Sequence, residues 1–159
     1  MRSKARTMLL AGFLGVLAAS AGFATTVEPA APGRRVTVKS SKSFEQVTDA
    51  ITSMVARNGM MVMAQVDQGK MLSMTGLHLK AKLFLIGNPT IGKKLFAQDR
   101  AVGLYVPLRV YVYEAGDGRT YISYDRPSAL LGESQDADVL KIAGMLDRKL
   151  QGLTTMAAR

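Results

Sequence analysis

The sequence predicts a two-layer α+β domain, in which helices cover one face of a mainly antiparallel sheet. The order of its patterns predicts this class. A strand-like segment leads into a long amphipathic helix, about four strand-like segments follow, and a second amphipathic helix comes last. Because each helix has a single apolar stripe, both helices are expected to pack against the same face of the sheet.

The first residues are typical of a secretory signal. MRSKAR contains only basic charges, and the apolar run TMLLAGFLGVLAAS is short for a membrane span. Gly22 and Ala24 are small residues at the minus-three and minus-one positions, so we expect cleavage after Ala24, or one to three residues earlier. The alternative is an uncleaved anchor. Cleavage would leave a periplasmic or secreted protein without a stable membrane span.

The remaining chain is predicted to form one domain. Residues 25–35, TTVEPAAPGRR, have no periodic pattern and are predicted to be a linker. Residues 36–153 are predicted to be the domain, and residues 154–159 a tail. The chain has no Cys, which excludes a lipoprotein anchor and a disulfide framework, so the fold must depend on packing.

The charge is basic but scattered. The formal net charge is +9, and three of the basic residues, Arg2, Lys4 and Arg6, lie in the leader. The others occur singly or in pairs and form no long run. This distribution favours a small anionic ligand or an anionic envelope surface as partner, and it does not favour nucleic acid.

The first strand and helix have the clearest signals. VTVKS alternates as a strand. Ser43 and Gln46 match a capping box, and Asn58 and Gly59 provide a left-handed stop. The apolar stripe between them consists of Phe44, Val47, Ile51, Met54 and Val55.

The middle of the chain contains the other strands. MMVMAQVD and AKLFLIG are predicted strands, and QGKMLSMTGLHLK between them is either a loop or a short irregular helix. VGLYVPLRVYVYEA alternates, and GDG turns the chain into RTYISYD. Pro107 has no N–H to donate, so it belongs at the start of its strand or at a sheet edge.

The last predicted helix is DADVLKIAGMLDRKLQGL. Asp136 and Asp138 near its start, and Arg148 and Lys149 near its end, agree with the helix dipole. Its inward stripe is predicted to be Val139, Ile142, Ala143, Leu146, Leu150 and Leu153.

The segment GNPTIGKK resembles a nucleotide-binding loop only superficially. Pro89 lacks the N–H that such a loop directs at phosphate, and Lys94 stands where a Ser or Thr would bind magnesium. We therefore expect a strand-ending turn formed by Gly87, Asn88, Pro89 and Gly92.

Four ordered segments, VKSSKSFEQV, VDQG, FLIGNPTIGKKL and VPLRVYVYEAGDGRTYISYDRPSAL, resemble the domain-of-unknown-function 302 family from about residue 36 to residue 131. The resemblance implies a fold like that of the TATA-binding protein (strand, helix, four strands, helix), usually as a homodimer and without an established activity. Relatives commonly have His where this chain has Gln68, so a metal or enzymatic role that depends on that imidazole is not expected here.

These observations predict a ligand-binding or sensing module that is not an enzyme and needs no cofactor. The expected ligand is a small anion between sheet and helix, near the loops at Asp67 and Asn88. The candidate binding residues are Asp67, Gln68, Asn88, Gly92 and Lys93. The alternative is structural: Asn88 caps its own backbone, Asp67 ends a strand and the lysines are solvated.

A second alternative is a copper or redox-stress protein. Six of the ten Met lie between Met54 and Met74, and thioethers suit cuprous ion. Only Met71 and Met74 lie in an irregular segment, while Met elsewhere fills core space. No metal site is therefore assigned. For catalysis the chain offers no Cys and a single His, His78, without a partner motif.

The uncovered sheet face is expected to form a homodimer. Alternation places Arg109, Tyr111, Tyr113, Tyr121 and Ser123 on that face. Tyr and Arg are enriched at protein interfaces, although cross-strand packing also explains the tyrosines.

Export is tested by the mature N-terminus. Because small residues precede the cleavage point, N-terminal sequencing of protein from the envelope fraction should start at Thr25. Full-length chain in washed membranes would contradict a soluble envelope protein.

Overall fold

The computed structural model describes residues 33–159, so the predicted signal peptide and most of the predicted linker lie outside the described residues. Five strands form one antiparallel sheet in the spatial order 1-5-4-3-2. In chain order they are β1 (Arg35–Lys39), β2 (Met61–Asp67), β3 (Ala81–Gly87), β4 (Leu108–Glu114) and β5 (Thr120–Asp125).

Helices connect the strands and end the chain. They are α1 (Phe44–Arg57), α2 (Gln68–Ser73), α3 (Pro89–Gln98), a 3-10 helix (Arg100–Leu104), α4 (Pro127–Leu130) and α5 (Ala137–Ala158). The predicted order of strand, helix, four strands and helix is confirmed, with shorter helices inserted. In residues 33–159 no helix has the length and apolarity to cross a bilayer.

The core lies between one face of the sheet and the long helices α1 and α5, which also pack against each other. Alternate residues of β4 and β5 face these helices, as period-2 patterning requires. The fully buried side chains of the core include Val47, Ile51, Val55, Phe84, Ile86, Val110, Val112, Ile122, Val139, Leu150 and Leu153. The predicted stripes of both helices are thus confirmed, with Phe44, Met54 and Ile142 only partly buried.

The ends of α1 are as predicted. The N–H of Gln46 donates to Ser43 Oγ, and the N–H of Ser43 donates to Gln46 Oε1, which completes the capping box. Asn58 is the C-cap, and Gly59 follows with a φ of 67°, a conformation that glycine adopts without a Cβ penalty.

The structure corrects two predicted segments between β3 and β4. The expected turn at Asn88 is the start of α3, with Asn88 as N-cap and Pro89 in the first turn, where its missing N–H costs nothing. The strand predicted from Val102 begins only at Leu108, because residues 100–104 form the 3-10 helix. Pro107 does lie immediately before its strand, as predicted.

The predicted tail is also corrected, because α5 continues to Ala158. Thr154, Ala157 and Ala158 are buried. Ser40 Oγ donates to the carbonyl oxygen of Ala158 at 2.8 Å, and Lys42 Nζ donates to that of Ala157 at 3.4 Å. The last turn of α5 is therefore bound to the segment between β1 and α1.

Shortening α5 tests this contact. A chain ending at Leu153 loses three buried residues and two long-range hydrogen bonds, so its free energy of unfolding should fall by about 2 kcal/mol. Urea unfolding of this variant, beside a control chain ending at Ala158, measures the change. Equal stability of the two chains would contradict a structural role for residues 154–158.

Candidate functional site

Asn88 holds the start of α3 against the end of α1. Its Oδ1 accepts the N–H of Ile91 at 3.0 Å, and its Nδ2 donates to the carbonyl oxygen of Gly59 at 2.7 Å. One side chain thus caps a helix and connects two segments that are far apart in sequence. The structure shows the capping role that was the alternative for Asn88.

An apolar cleft of ≈ 330 Å³ lies beside this connection. Its walls come from the β2 and β3 ends near α3, from α3 itself, from the segment before β4 and from α5. Principal apolar residues of its lining are Met60, Met63, Ile86, Phe96, Pro107 and Leu146. Met63 and Phe96 are 43% and 45% exposed, so solvent reaches an almost wholly apolar surface.

The structure brings three of the five candidate residues together at the apolar cleft. Asn88, Gly92 and Lys93 all line it. A Cβ added to Gly92 would meet no atom within 4 Å, so the cleft is open at this point of α3. Lys93 is also exposed to solvent.

The other two candidates lie elsewhere, which corrects the expectation of one site near both loops. In the β2–β3 register Met61 pairs with Gly87, whereas Asp67 pairs with Lys82. Because the strands are antiparallel, the end of β2 and the end of β3 lie at opposite ends of the pair. Asp67 is the N-cap of α2 and accepts the N–H of Lys70 at 2.8 Å.

Gln68 lines a different hollow, of ≈ 640 Å³, on the sheet face opposite α1 and α5. We call this surface the open face. It also includes Arg35, Arg109, Tyr111 and Tyr113. Neither Asp67 nor Gln68 is among the residues that line the apolar cleft.

Stacked tyrosines occupy the open face. The rings of Tyr111 and Tyr113 have centroids 5.0 Å apart, and those of Tyr113 and Tyr121 lie 5.6 Å apart. Burial raises the pKa of the Tyr111 phenol, with a further contribution from Tyr113. The hydrogen bond that Tyr121 donates to Asp117 at 3.0 Å raises the pKa of Tyr121. The Tyr113–Tyr121 pair packs across β4 and β5, whereas Tyr111 and Tyr113 stack along β4. All three tyrosines are partly exposed.

A basic groove of ≈ 810 Å³ was missed by the sequence analysis. We define it by its four cations, Lys93 and Lys94 on α3 and Lys141 and Arg148 on α5. One signal was present: Lys141 and Arg148 are seven residues apart, a spacing that places both on one face of a helix. Their proximity to Lys93 and Lys94 depends on the packing of α3 against α5, which the sequence pattern does not contain.

The methionines divide between core and surface. Met54 and Met60 pack in or against the core, whereas Met71 and Met74 are 53% and 81% exposed. His78 is also exposed. Over residues 33–159 no group of three or more His, Cys, Asp or Glu is placed to hold a metal ion.

The chain belongs to the family described as Domain of unknown function DUF302, whose model matches residues 36–156. The fold agrees with this assignment. The crystal structure of an uncharacterized conserved DUF302 protein from Bacillus stearothermophilus superimposes with a TM-score of 0.72 and 21% identity, over 79% of this chain and 98% of that one. The predicted family and fold class are therefore confirmed.

Curated relatives are longer proteins. The fluoride-specific ion channel FluC 1 of Brucella suis biovar 1 is 31% identical over 110 residues, which cover 65% of this chain and 43% of that protein. FluC 1 of Brucella abortus and FluC 2 of Brucella melitensis match at the same identity over 41% of their length. The matched segment thus accounts for less than half of each of these relatives.

The tyrosine environment predicts a pH dependence. Tyr111, Tyr121 and Tyr124 have raised phenol pKa values in the folded protein, Tyr124 mainly through burial. Below about pH 10 these phenols are protonated in both states, and above it the unfolded chain ionises first. The free energy of unfolding should therefore fall as the pH rises above about 10.

Ultraviolet titration of the phenols measures this directly. The folded protein should show a fraction of its tyrosines ionising later than those of the protein in denaturant, and Tyr111→Phe should reduce that fraction. Identical curves for folded and denatured protein would contradict the described environment.

Proposed function

We propose that this protein is a non-catalytic, dimeric ligand-binding or sensing module of the cell envelope, and that its ligand occupies the apolar cleft. The observation that supports this most is the cleft itself, which is solvent-accessible, apolar and lined by Asn88, Gly92 and Lys93. Small-molecule sites are typically concave and mostly apolar, with volumes of roughly 300–1,000 Å³ and a few polar groups. A volume of ≈ 330 Å³ falls at the lower end of this range.

The chemistry available at the cleft supports binding rather than catalysis. Both polar ends of the Asn88 amide already make structural hydrogen bonds. Among the residues that line the cleft, Lys93 is then the one with a charged side chain, and a single exposed ammonium provides attraction without a partner for proton transfer. The chain has no Cys, and His78, its only His, does not line the cleft.

The relatives support a modular role. Because the matched segment is less than half of the Brucella proteins, it occurs there together with other sequence. A domain that recurs as one part of longer proteins suits a binding or sensing role. The name of those relatives raises fluoride as a second candidate ligand, but an apolar wall offers a small, strongly hydrated anion little compensation for its lost water.

The open face supports the dimer. Helices α1 and α5 cover one side of the sheet, and the other side presents stacked tyrosines together with Arg109, which is exposed. Such residues provide large contact areas with polar ends. We propose that two copies meet there about a two-fold axis, which places the apolar cleft of each copy away from the interface.

Native mass spectrometry of protein purified from the periplasm tests ligand and dimer together. We expect a dimer mass, with a small molecule retained on each chain. Gly92→Leu should abolish retention of the ligand, because Gly92 lines the cleft and a leucine side chain there would extend into its open space. Helix α3 should tolerate the change, since leucine favours helix more than glycine does.

Gly144→Leu is the matched control, since Gly144 lies in α5 with equally open surroundings and does not line the cleft. Loss of the ligand in both variants, or in neither, would contradict binding in the cleft. A monomer mass for the wild type at high concentration would contradict the dimer.

A further inference from the structure

We propose that the ligand is an amphipathic anion, with an apolar chain in the apolar cleft and a phosphate- or carboxylate-type head in the basic groove. This inference rests on the proposed function, since it assumes that the cleft binds a ligand. It adds the chemical class of that ligand and assigns a binding role to Lys94, Lys141 and Arg148.

The two hollows meet at one residue. Lys93 lines both the apolar cleft and the basic groove, so the two hollows adjoin at this residue. Helix α3 forms a wall of each hollow, and α5 contributes Leu146 to the cleft and Lys141 and Arg148 to the groove. The same pair of helices therefore presents an apolar surface and a cationic surface side by side.

The groove has a strong excess of positive charge. Its four cations face one acid, Asp138, and none of the four forms an ion pair within residues 33–159. The whole stretch from Gln68 to Gln98 contains no Asp or Glu. An anionic head would supply the missing charge, and the guanidinium of Arg148 can bind a phosphate or carboxylate with two parallel hydrogen bonds.

The exposed apolar lining of the cleft favours a ligand with an apolar part. Met63 and Phe96 leave much of their surface in water, and covering apolar surface is favourable in proportion to the area removed from solvent. A simple inorganic anion would use only the groove, and an uncharged apolar molecule would use only the cleft. A molecule with both parts binds more tightly than either part alone. Once one part is bound, the other is held close to its own site, so its binding becomes an intramolecular step.

Calorimetric titration with four probes tests this inference. n-Decyl phosphate, below its micellar concentration, has both parts, n-decanol has the chain alone, and inorganic phosphate has the head alone. We expect n-decyl phosphate to bind at least about tenfold more tightly than either of the other two. Sodium fluoride serves as a fourth probe, for the ligand that the relatives' name suggests.

Variants of the groove and of the cleft test where the anionic head and the apolar chain of the ligand bind. Lys94→Glu/Lys141→Glu should weaken n-decyl phosphate at least about tenfold and leave n-decanol unchanged, because both residues line the groove and neither lines the cleft. Lys39→Glu/Lys70→Glu, with the same change in charge away from the groove, should change neither. Met63→Asp should weaken both n-decyl phosphate and n-decanol. Met74→Asp is its control, because Met74 is exposed and does not line the cleft.

The outcomes separate this inference from the proposed function. If n-decanol binds as tightly as n-decyl phosphate, or the groove variant binds n-decyl phosphate normally, the anionic head is wrong while a ligand in the cleft still stands. If inorganic phosphate binds as tightly as n-decyl phosphate, the proposal that the ligand has an apolar chain is wrong. If no probe binds and native mass spectrometry also finds no ligand that Gly92→Leu removes, both proposals fail.

Discussion

The two hydrogen bonds of the Asn88 side chain are the constraint on which the candidate site depends. One begins α3 at the end of β3, and the other connects that point to Gly59, just after α1. Because α1 is fixed in the core by Val47, Ile51 and Val55, the first turn of α3 is fixed relative to the core as well. The apolar cleft and the basic groove both use α3 as a wall, so the position of this helix determines the shape of each.

Much of the fold was predictable, because its main elements have signals that agree with one another. A capping box, an apolar stripe and an Asn-Gly stop all define α1, and periodicity defines α5 and the strands. Helix α3 was missed because Asn88, Pro89 and Gly92 are turn formers, although Asn at the N-cap and Pro in the first turn also begin helices. The end of α5 was missed because residues 154–158 have a weak stripe, and their burial depends on distant contacts such as that of Ser40.

The site was predictable only in part, since it depends on which elements become neighbours. Asn88, Gly92 and Lys93 are close in sequence and share one helix, so local reasoning grouped them correctly. Asp67 and Asn88 both follow strands, but antiparallel pairing sends those strand ends in opposite directions. The basic groove joins residues about fifty positions apart, and only the packing of α3 on α5 brings them together. The tyrosines of the open face, in contrast, follow from simple alternation along β4 and β5.

Hydrogen exchange of Asn88 variants, followed by mass spectrometry, tests the central claim most directly. Asn88→Asp keeps a capping oxygen but loses the donor to Gly59, and Asn88→Ala loses both. The account predicts that the amides of residues 91–98 exchange faster in Asn88→Asp, faster still in Asn88→Ala, while those of α1 and α5 in the core remain protected. Wild-type protection of residues 91–98 in Asn88→Ala would contradict the claim that this side chain holds α3 and the cleft beside it in place.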